Sequence, residues 1–195
     1  IVDLKPEMAE ACLLVLRTQA KYDGGYWNTT GIARAVTVKG LLGAMHKRGC
    51  TVLSHGATGR GNDQVRFERY TNVLAPEMEV YAPWRDPKLL EEFPGRREMV
   101  AYLRDIGIEA DVGEKKRYST DANLAGLSHE AEDLEDLTTP CLIVDPIMGV
   151  WPQDAPDEIE TVEVRVEQGR PVAIDGQELS PLELMCQAND IAGRN

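Results

Sequence analysis

Apolar Met8, Cys12, Val15 and Leu16 recur at helical intervals, so the spacing predicts a helix over residues 7–20. Residues 31–48 carry Ile32, Ala35, Val36, Val38, Leu41, Leu42 and Met45 in the same period and read as a long buried helix. Gly49 stands where a left-handed helix cap belongs. The intervening Tyr22-Asp-Gly-Gly-Tyr-Trp-Asn-Thr-Thr30 is rich in helix breakers and reads as a loop. Cys50-Thr-Val-Leu-Ser54 reads as a short buried strand, followed by a glycine-rich loop from His55 to Asn62, a helix over 63–73 and a second strand over 78–82. Residues 87–106 read as helical with a break near Pro94-Gly95.

This order of helix, strand, loop, helix and strand implies parallel strands joined by a crossover helix, with 51–54 and 79–82 as neighbours or near-neighbours in one sheet. Beyond about Val112 the character changes. Glu163-Val-Arg-Val-Glu167 alternates with period two, and Val172-Ala-Ile-Asp175 follows Gly169-Arg-Pro171, which predicts an antiparallel hairpin in a separate sheet. Ser180-Pro-Leu-Glu183 is a capping box with proline at the first helical position. The expected division is an α/β part over 1–112 and an α+β part over 113–195.

With 195 residues the chain is long enough for a sizeable core. Its net charge of −12 makes nucleic acid and anionic membrane surfaces poor partners. No apolar run approaches the roughly 18 residues of a membrane span, and the first residues do not follow the signal-peptide pattern. Both ends read as cut from a longer chain. Cys12, Cys50, Cys141 and Cys186 form no C-x-x-C pair, and His46 and His55 beside Cys50 complete no zinc site. These features point to reduced, buried cysteines in a cytoplasmic protein, with no metal site.

The strongest local signal is Ser54-His-Gly-Ala-Thr-Gly-Arg-Gly-Asn-Asp-Gln-Val-Arg-Phe67. A strand runs into glycines 56, 59 and 61 and then a helix, the place in a parallel α/β sheet where ligands bind. Glycines let backbone approach a ligand, and amides at a helix start can hold an anion. The Walker A spacing of Gly56 and Gly61 is followed by Asn62 rather than Lys, and the third dinucleotide glycine is replaced by Gln64, so both standard fingerprints fail. A plain glycine-rich turn capped by Asn62 or Asp63 is the competing reading. Arg66 lies one helical turn after Asp63, a pairing that suits an amino-acid ligand and equally a surface ion pair. Lys115-Lys-Arg-Tyr-Ser-Thr-Asp-Ala-Asn123 gathers positive charge beside hydroxyls and a carboxylate, as a phosphate or carboxylate ligand requires. An exposed turn with Ser119 or Asp121 capping a helix fits the same residues. Acidic 130–136 reads in isolation as a solvated helix face. His55 and His129 have no partner at a catalytic spacing, and Ser54 sits in no nucleophile elbow.

Together these segments resemble the argininosuccinate synthase family, in its longer-chain branch. The motifs are Tyr26-Trp-Asn-Thr-Thr-Gly-Ile-Ala-Arg-Ala35, Gly56-Ala-Thr-Gly-Arg-Gly-Asn-Asp-Gln-Val-Arg-Phe67, Tyr118-Ser-Thr-Asp-Ala-Asn123, Ser128-His-Glu-Ala-Glu-Asp-Leu-Glu135, Asp145-Pro-Ile-Met-Gly149 and Val166-Glu-Gln-Gly-Arg-Pro-Val-Ala173. The resemblance implies a parallel-sheet nucleotide-binding part of the adenine nucleotide alpha hydrolase type, followed by an α+β synthetase part. It implies adenylation of citrulline by MgATP, then displacement of AMP by the aspartate amine to give argininosuccinate, with release of pyrophosphate. By motif, Tyr26, Asn62, Arg66, Ser119, Ser128 and Glu130 would contact citrulline. Thr58, Asn62 and Asp63 would hold aspartate, and Gly56, Thr58, Asp63 and Asp121 would lie against ATP. Asp63, Arg66 and Asp121 would carry most of the catalytic positioning, and the assembly would be a homo-tetramer. Position 128 holds Ser where this branch more often has Thr, which keeps the hydroxyl. The family's Ser-Gly-Gly-x-Asp-Thr-Ser phosphate loop is not in these 195 residues, so the piece alone is expected to be inactive. Two other readings stand beside the ligase. One is a non-catalytic amino-acid-binding fragment or paralogue. The other is an adenylating enzyme of the same superfamily acting on tRNA, which the charge of −12 and the lack of a catalytic Cys motif disfavour.

Overall fold

The computed structural model describes residues 1–23, 25–58, 61–108 and 118–195. Gly59, the basic cluster Lys115-Lys-Arg117 and the boundary expected near 113 lie outside the described residues. In chain order the elements are α1 (Lys5–Thr18), α2 (Thr29–Arg48), β1 (Val52–Ser54), α3 (Asp63–Leu74), β2 (Glu79–Tyr81), α4 (Pro87–Glu92) and α5 (Arg96–Asp105). Then come β3 (Ser119–Asn123), β4 (Gly126–Glu130), β5 (Val164–Glu167), β6 (Arg170–Ile174), β7 (Gln177–Glu178) and α6 (Pro181–Arg194). The chain divides into two compact units. One holds Asp3–Val36 and Arg117–Asn195 with Ile1, and the other holds Thr37–Lys116 with Val2.

In the first unit, α1 lays Ala9, Cys12 and Leu13 against Ile174 of β6 and Leu184 and Met185 of α6. All six side chains are buried, and each large one contributes about 1.5–3 kcal/mol of apolar transfer free energy. The sheet order is β5-β6-β7, antiparallel throughout, with a register shift between Arg165 and Val166. The hairpin expected over 163–175 is therefore present, extended by a third strand. The α6 N-terminus is the expected capping box: Ser180 Oγ accepts from the Glu183 amide, and the Glu183 carboxylate accepts from the Ser180 amide at 2.9 Å. Near its far end Gly193 lies against the backbone carbonyl of Met148, where any Cβ would collide.

In the second unit, β1 and β2 pair in parallel, Val52 with Glu79, Leu53 with Val80 and Ser54 with Tyr81. This is the crossover arrangement that the element order implied. The strand is not buried throughout: only Leu53 points into a core, packing with Val38, Leu42, Ala75 and Met78, while Val52 is exposed. A two-stranded sheet with one packed face explains that alternation. Gly49 ends α2 at φ 66°, the left-handed position expected of it. The helical stretch over 87–106 is broken at Phe93–Gly95, as the proline dictates, into α4 and α5.

Two expectations need correction. Residues 119–123 are a strand, β3, so neither Ser119 nor Asp121 caps a helix. The acidic stretch is not a helix face either. Glu130 ends β4, and Glu132–Glu135 is a single 3-10 turn entered through left-handed Ala131 and Glu132, at φ 70° and 51°. Alternation across the hairpin, rather than charge patterning, decides where these side chains point.

Candidate functional site

In the first unit the site is built on a hairpin. Antiparallel pairing sets Ser119 opposite Glu130 and Asp121 opposite Ser128. Directly opposed residues, and residues two apart along a strand, share a face. Ser119, Asp121, Ser128 and Glu130 therefore project together from one side of β3 and β4. Thr120 and His129 take the other side, where the Thr120 hydroxyl and His129 Nδ1 lie 3.0 Å apart. The His129 ring stands edge-on to buried Tyr118 at 5.1 Å. His129 thus supports the hairpin from behind.

The loop before α2 brings Tyr26 to the first face. That loop is closed by its own backbone: Tyr22 N–H donates to the Tyr26 carbonyl at 2.8 Å and Asn28 N–H to the Ala20 carbonyl at 3.0 Å. Tyr22 and Tyr26 stack with centroids 5.8 Å apart. The Tyr26 phenol oxygen is surrounded by the hydroxyls of Thr29, Thr30 and Ser128. Burial pushes this phenol up, but the three hydroxyl contacts together outweigh burial and hold it below its ordinary value. Thr30 donates to Asp121 Oδ2 at 3.0 Å, and Arg34 Nη2 reaches the same oxygen at 3.3 Å. Both members of the Arg34–Asp121 pair are about a quarter exposed, at 23% and 27%. The carboxylate is thereby held in one orientation by a hydroxyl and a guanidinium. Sequence reasoning picked out neither Thr29, Thr30 nor Arg34, although all three lie inside the Tyr26–Ala35 motif. Thr30 and Arg34 stand four residues apart and so share a face of α2, which was the available signal.

In the second unit, β1 runs into the glycine-rich loop and α3 begins at Asp63. Asn62 occupies the cap position but makes no side-chain capping bond. Its side chain is thus not committed to the helix start in the way a plain capped turn requires. Asp63 Oδ1 accepts from Arg66 Nη1 at 2.9 Å, and the two side chains are 30% and 24% exposed. The pair expected from spacing alone is therefore formed and partly shielded from water. Gly56, Thr58 and Asn62 are exposed along the loop. His55 is buried beneath them at 7% exposure. Its ring stacks on Phe67 of α3 at 5.0 Å. Burial pushes the imidazole below its ordinary value; Glu68 opposes that shift and Arg85 adds to it.

Thus Tyr26, Ser119, Asp121, Ser128 and Glu130 belong to one unit, and Gly56, Thr58, Asn62, Asp63 and Arg66 to the other. An open groove of about 330 Å³ on the first unit, lined by Glu10, Ala11, Leu13, Leu14, Arg17 and Arg170, contains none of them. Among the described residues no cluster of His, Cys, Asp or Glu is arranged to hold a metal ion. None of their helices is long and apolar enough to cross a membrane.

Chemically, the first unit offers hydroxyls and two carboxylates on one face, a set that hydrogen-bonds amide, ureido and ammonium groups. The second offers a glycine loop with a carboxylate–guanidinium pair one turn into a helix, a set for an amino acid and an anion. Comparison with protein-family models gives two matches. The model described as Arginosuccinate synthase N-terminal HUP domain covers residues 1–109, and the one described as Arginosuccinate synthase C-terminal domain covers residues 118–195.

Proposed function

The chain belongs to the argininosuccinate synthase family, and from that membership we propose that it carries substrate-contact residues of a ligase that joins citrulline to aspartate with ATP. The observation that supports this reading most directly is the β3–β4 register. It gathers Ser119, Asp121, Ser128 and Glu130 on one face, with Tyr26 and Thr30 hydrogen-bonded onto it. Pairing alone puts the four hairpin residues on one face, but Thr30 reaches Asp121 across 91 residues of chain, so proximity in sequence does not explain that contact.

In this reading the Tyr26, Ser119 and Ser128 hydroxyls and the Glu130 carboxylate orient citrulline, the last by receiving its ammonium group. Arg66 forks onto a substrate carboxylate. Asp63 receives the aspartate ammonium, and Thr58 and Asn62 complete that contact. Backbone of the loop at Gly56 and Thr58 approaches the nucleotide, and Asp121 lies against it. ATP enters with Mg²⁺ as a substrate. Citrulline is activated as citrullyl-AMP, pyrophosphate leaves, and the aspartate amine then displaces AMP. The protein supplies orientation and electrostatic preorganisation rather than a covalent intermediate of its own. The expected setting is the cytoplasm and the expected assembly a homo-tetramer. The two parts proposed earlier, 1–112 and 113–195, divide the nucleotide-binding and synthetase roles.

The test is pyrophosphate release coupled to argininosuccinate detection by mass spectrometry. It is run on the full-length protein that contains this chain, with MgATP, citrulline and aspartate. Formation of argininosuccinate that requires all three substrates supports the ligase. Binding of citrulline with no product at any enzyme concentration favours a non-catalytic amino-acid-binding paralogue instead.

A further inference from the structure

His55 has no place in the substrate contacts above, yet it is buried at 7% exposure within the glycine-rich segment. Three elements fix it. Its backbone N–H donates to the Tyr81 carbonyl at 3.2 Å, continuing the β1–β2 ladder by one residue. Its ring lies over Phe67 with an interplanar angle of 19°. Its Nδ1 accepts the Ala57 amide at 3.3 Å.

That last contact determines the tautomer. A ring nitrogen that accepts carries no proton, so the neutral imidazole holds its proton on Nε2. Nε2 is buried and has no hydrogen-bond partner among the described residues. An orphaned buried donor is unfavourable. A phenylalanine would stack on Phe67 equally well and leave no orphan. What only the imidazole supplies here is the acceptor for Ala57, so the arrangement makes sense if the loop contact matters.

We propose that His55 is a positioning residue of the nucleotide loop: anchored to β2 and to Phe67, it holds the Ala57 amide and thereby sets the backbone of Gly56 and Thr58 for contact with ATP. This rests on the ligase reading for the identity of the nucleotide, and the imidazole touches no substrate. The effect is preorganisation: without the Nδ1 acceptor the loop samples other conformations, and ATP binding must order it.

The experiment uses the full-length protein with His55→Phe, which keeps the stacking ring and removes the acceptor, and His55→Asn, which removes the ring and keeps an acceptor oxygen near the Nδ1 position. ATP affinity is measured by calorimetry and KM and kcat by steady-state kinetics, with melting temperatures as the check on folding. His55→Phe is expected to weaken ATP binding and raise KM for ATP by roughly five- to tenfold, about one hydrogen bond's worth. KM for citrulline and for aspartate should stay within about twofold of wild type. His55→Asn should recover most of the ATP affinity despite its smaller side chain. ATP binding unchanged in His55→Phe overturns the proposal. So does a His55→Asn variant that folds but loses ATP affinity by roughly five- to tenfold, an outcome read against wild type and therefore independent of whether His55→Phe folds. A wild-type protein that makes no argininosuccinate but shows this pattern of ATP binding defeats the ligase reading and keeps the role of His55. An active wild type with indifferent variants does the reverse.

Discussion

The Thr30 hydroxyl donates to Asp121 Oδ2 at 3.0 Å, across a separation of 91 residues. Thr30 also reaches the Tyr26 phenol, which Ser128 contacts from the neighbouring strand. Thr30 therefore links the α2 N-terminus to β3, and the Tyr26 phenol extends the link to Ser128 of β4. The orientation of Asp121 depends on this link and on Arg34, which shares the same carboxylate oxygen.

Thr30→Val keeps the shape and removes the hydroxyl. Loss of a hydrogen bond to a carboxylate is worth about 1.5–3 kcal/mol, so roughly ten- to a hundredfold should be lost from kcat/KM. Steady-state kinetics on the full-length protein, with circular dichroism to verify folding, measures this. Activity within twofold of wild type would remove Thr30 from the positioning of Asp121.

Asp63→Asn keeps size and removes charge. Turnover in the full-length protein should fall by roughly ten- to a hundredfold, because a charge-assisted contact to the aspartate ammonium is lost. Asn62, not Asp63, holds the cap position of α3, so the substitution removes no capping residue. It does remove the ion pair to Arg66 and an acid from the first turn, together about 1 kcal/mol of stability. A urea titration and a pyrophosphate-release assay on the same preparation separate the two effects. An undiminished rate would take Asp63 out of the mechanism.

Cys12 is fully buried in the α1–α6 core, and burial pushes its thiol up to about 11. Cys50, Cys141 and Cys186 are exposed, so the expectation of buried cysteines holds for Cys12 alone. Brief alkylation of the native chain at pH 8 should label those three and spare Cys12, with all four labelled in denaturant. Peptide mass spectrometry reads the pattern. Rapid native labelling of Cys12 would contradict its place in the core.

His55 makes stability depend on pH. Its folded value lies below the ordinary 6.5, so near and below that pH the unfolded chain binds a proton that the folded one resists. The stabilisation is fully present above about 6.5 and is lost as pH falls through the lowered folded value. Urea midpoints between pH 7.5 and 5 should therefore fall more steeply in wild type than in His55→Phe. Parallel slopes would show that the imidazole does not titrate against folding.

The sequence by itself determined much of this protein, wherever the signal is local. Periodicity located α1, α2 and α3, because a helix buries residues three and four apart. Gly49 and Ser180-Pro-Leu-Glu183 marked helix ends, because caps are chemistry between near neighbours. Strand–loop–helix order implied the parallel β1–β2 pair, since the crossover leaves little alternative. The Asp63–Arg66 pair was legible because one helical turn separates its members. Only the tertiary structure decided the site around the hairpin. Residues 119–123 carry Ser, Thr, Asp and Asn, whose side chains suit turns and caps as readily as strands, so nothing local assigned them to β3. Which of them share a face follows from register with β4, and register is a relation between two segments. Thr30 and Arg34 meet Asp121 only through the fold: their four-residue spacing shows that they share a face of α2, but not what that face meets. The acceptor role of His55 likewise needed Phe67 and Tyr81 in place, since an imidazole's tautomer is set by what surrounds it.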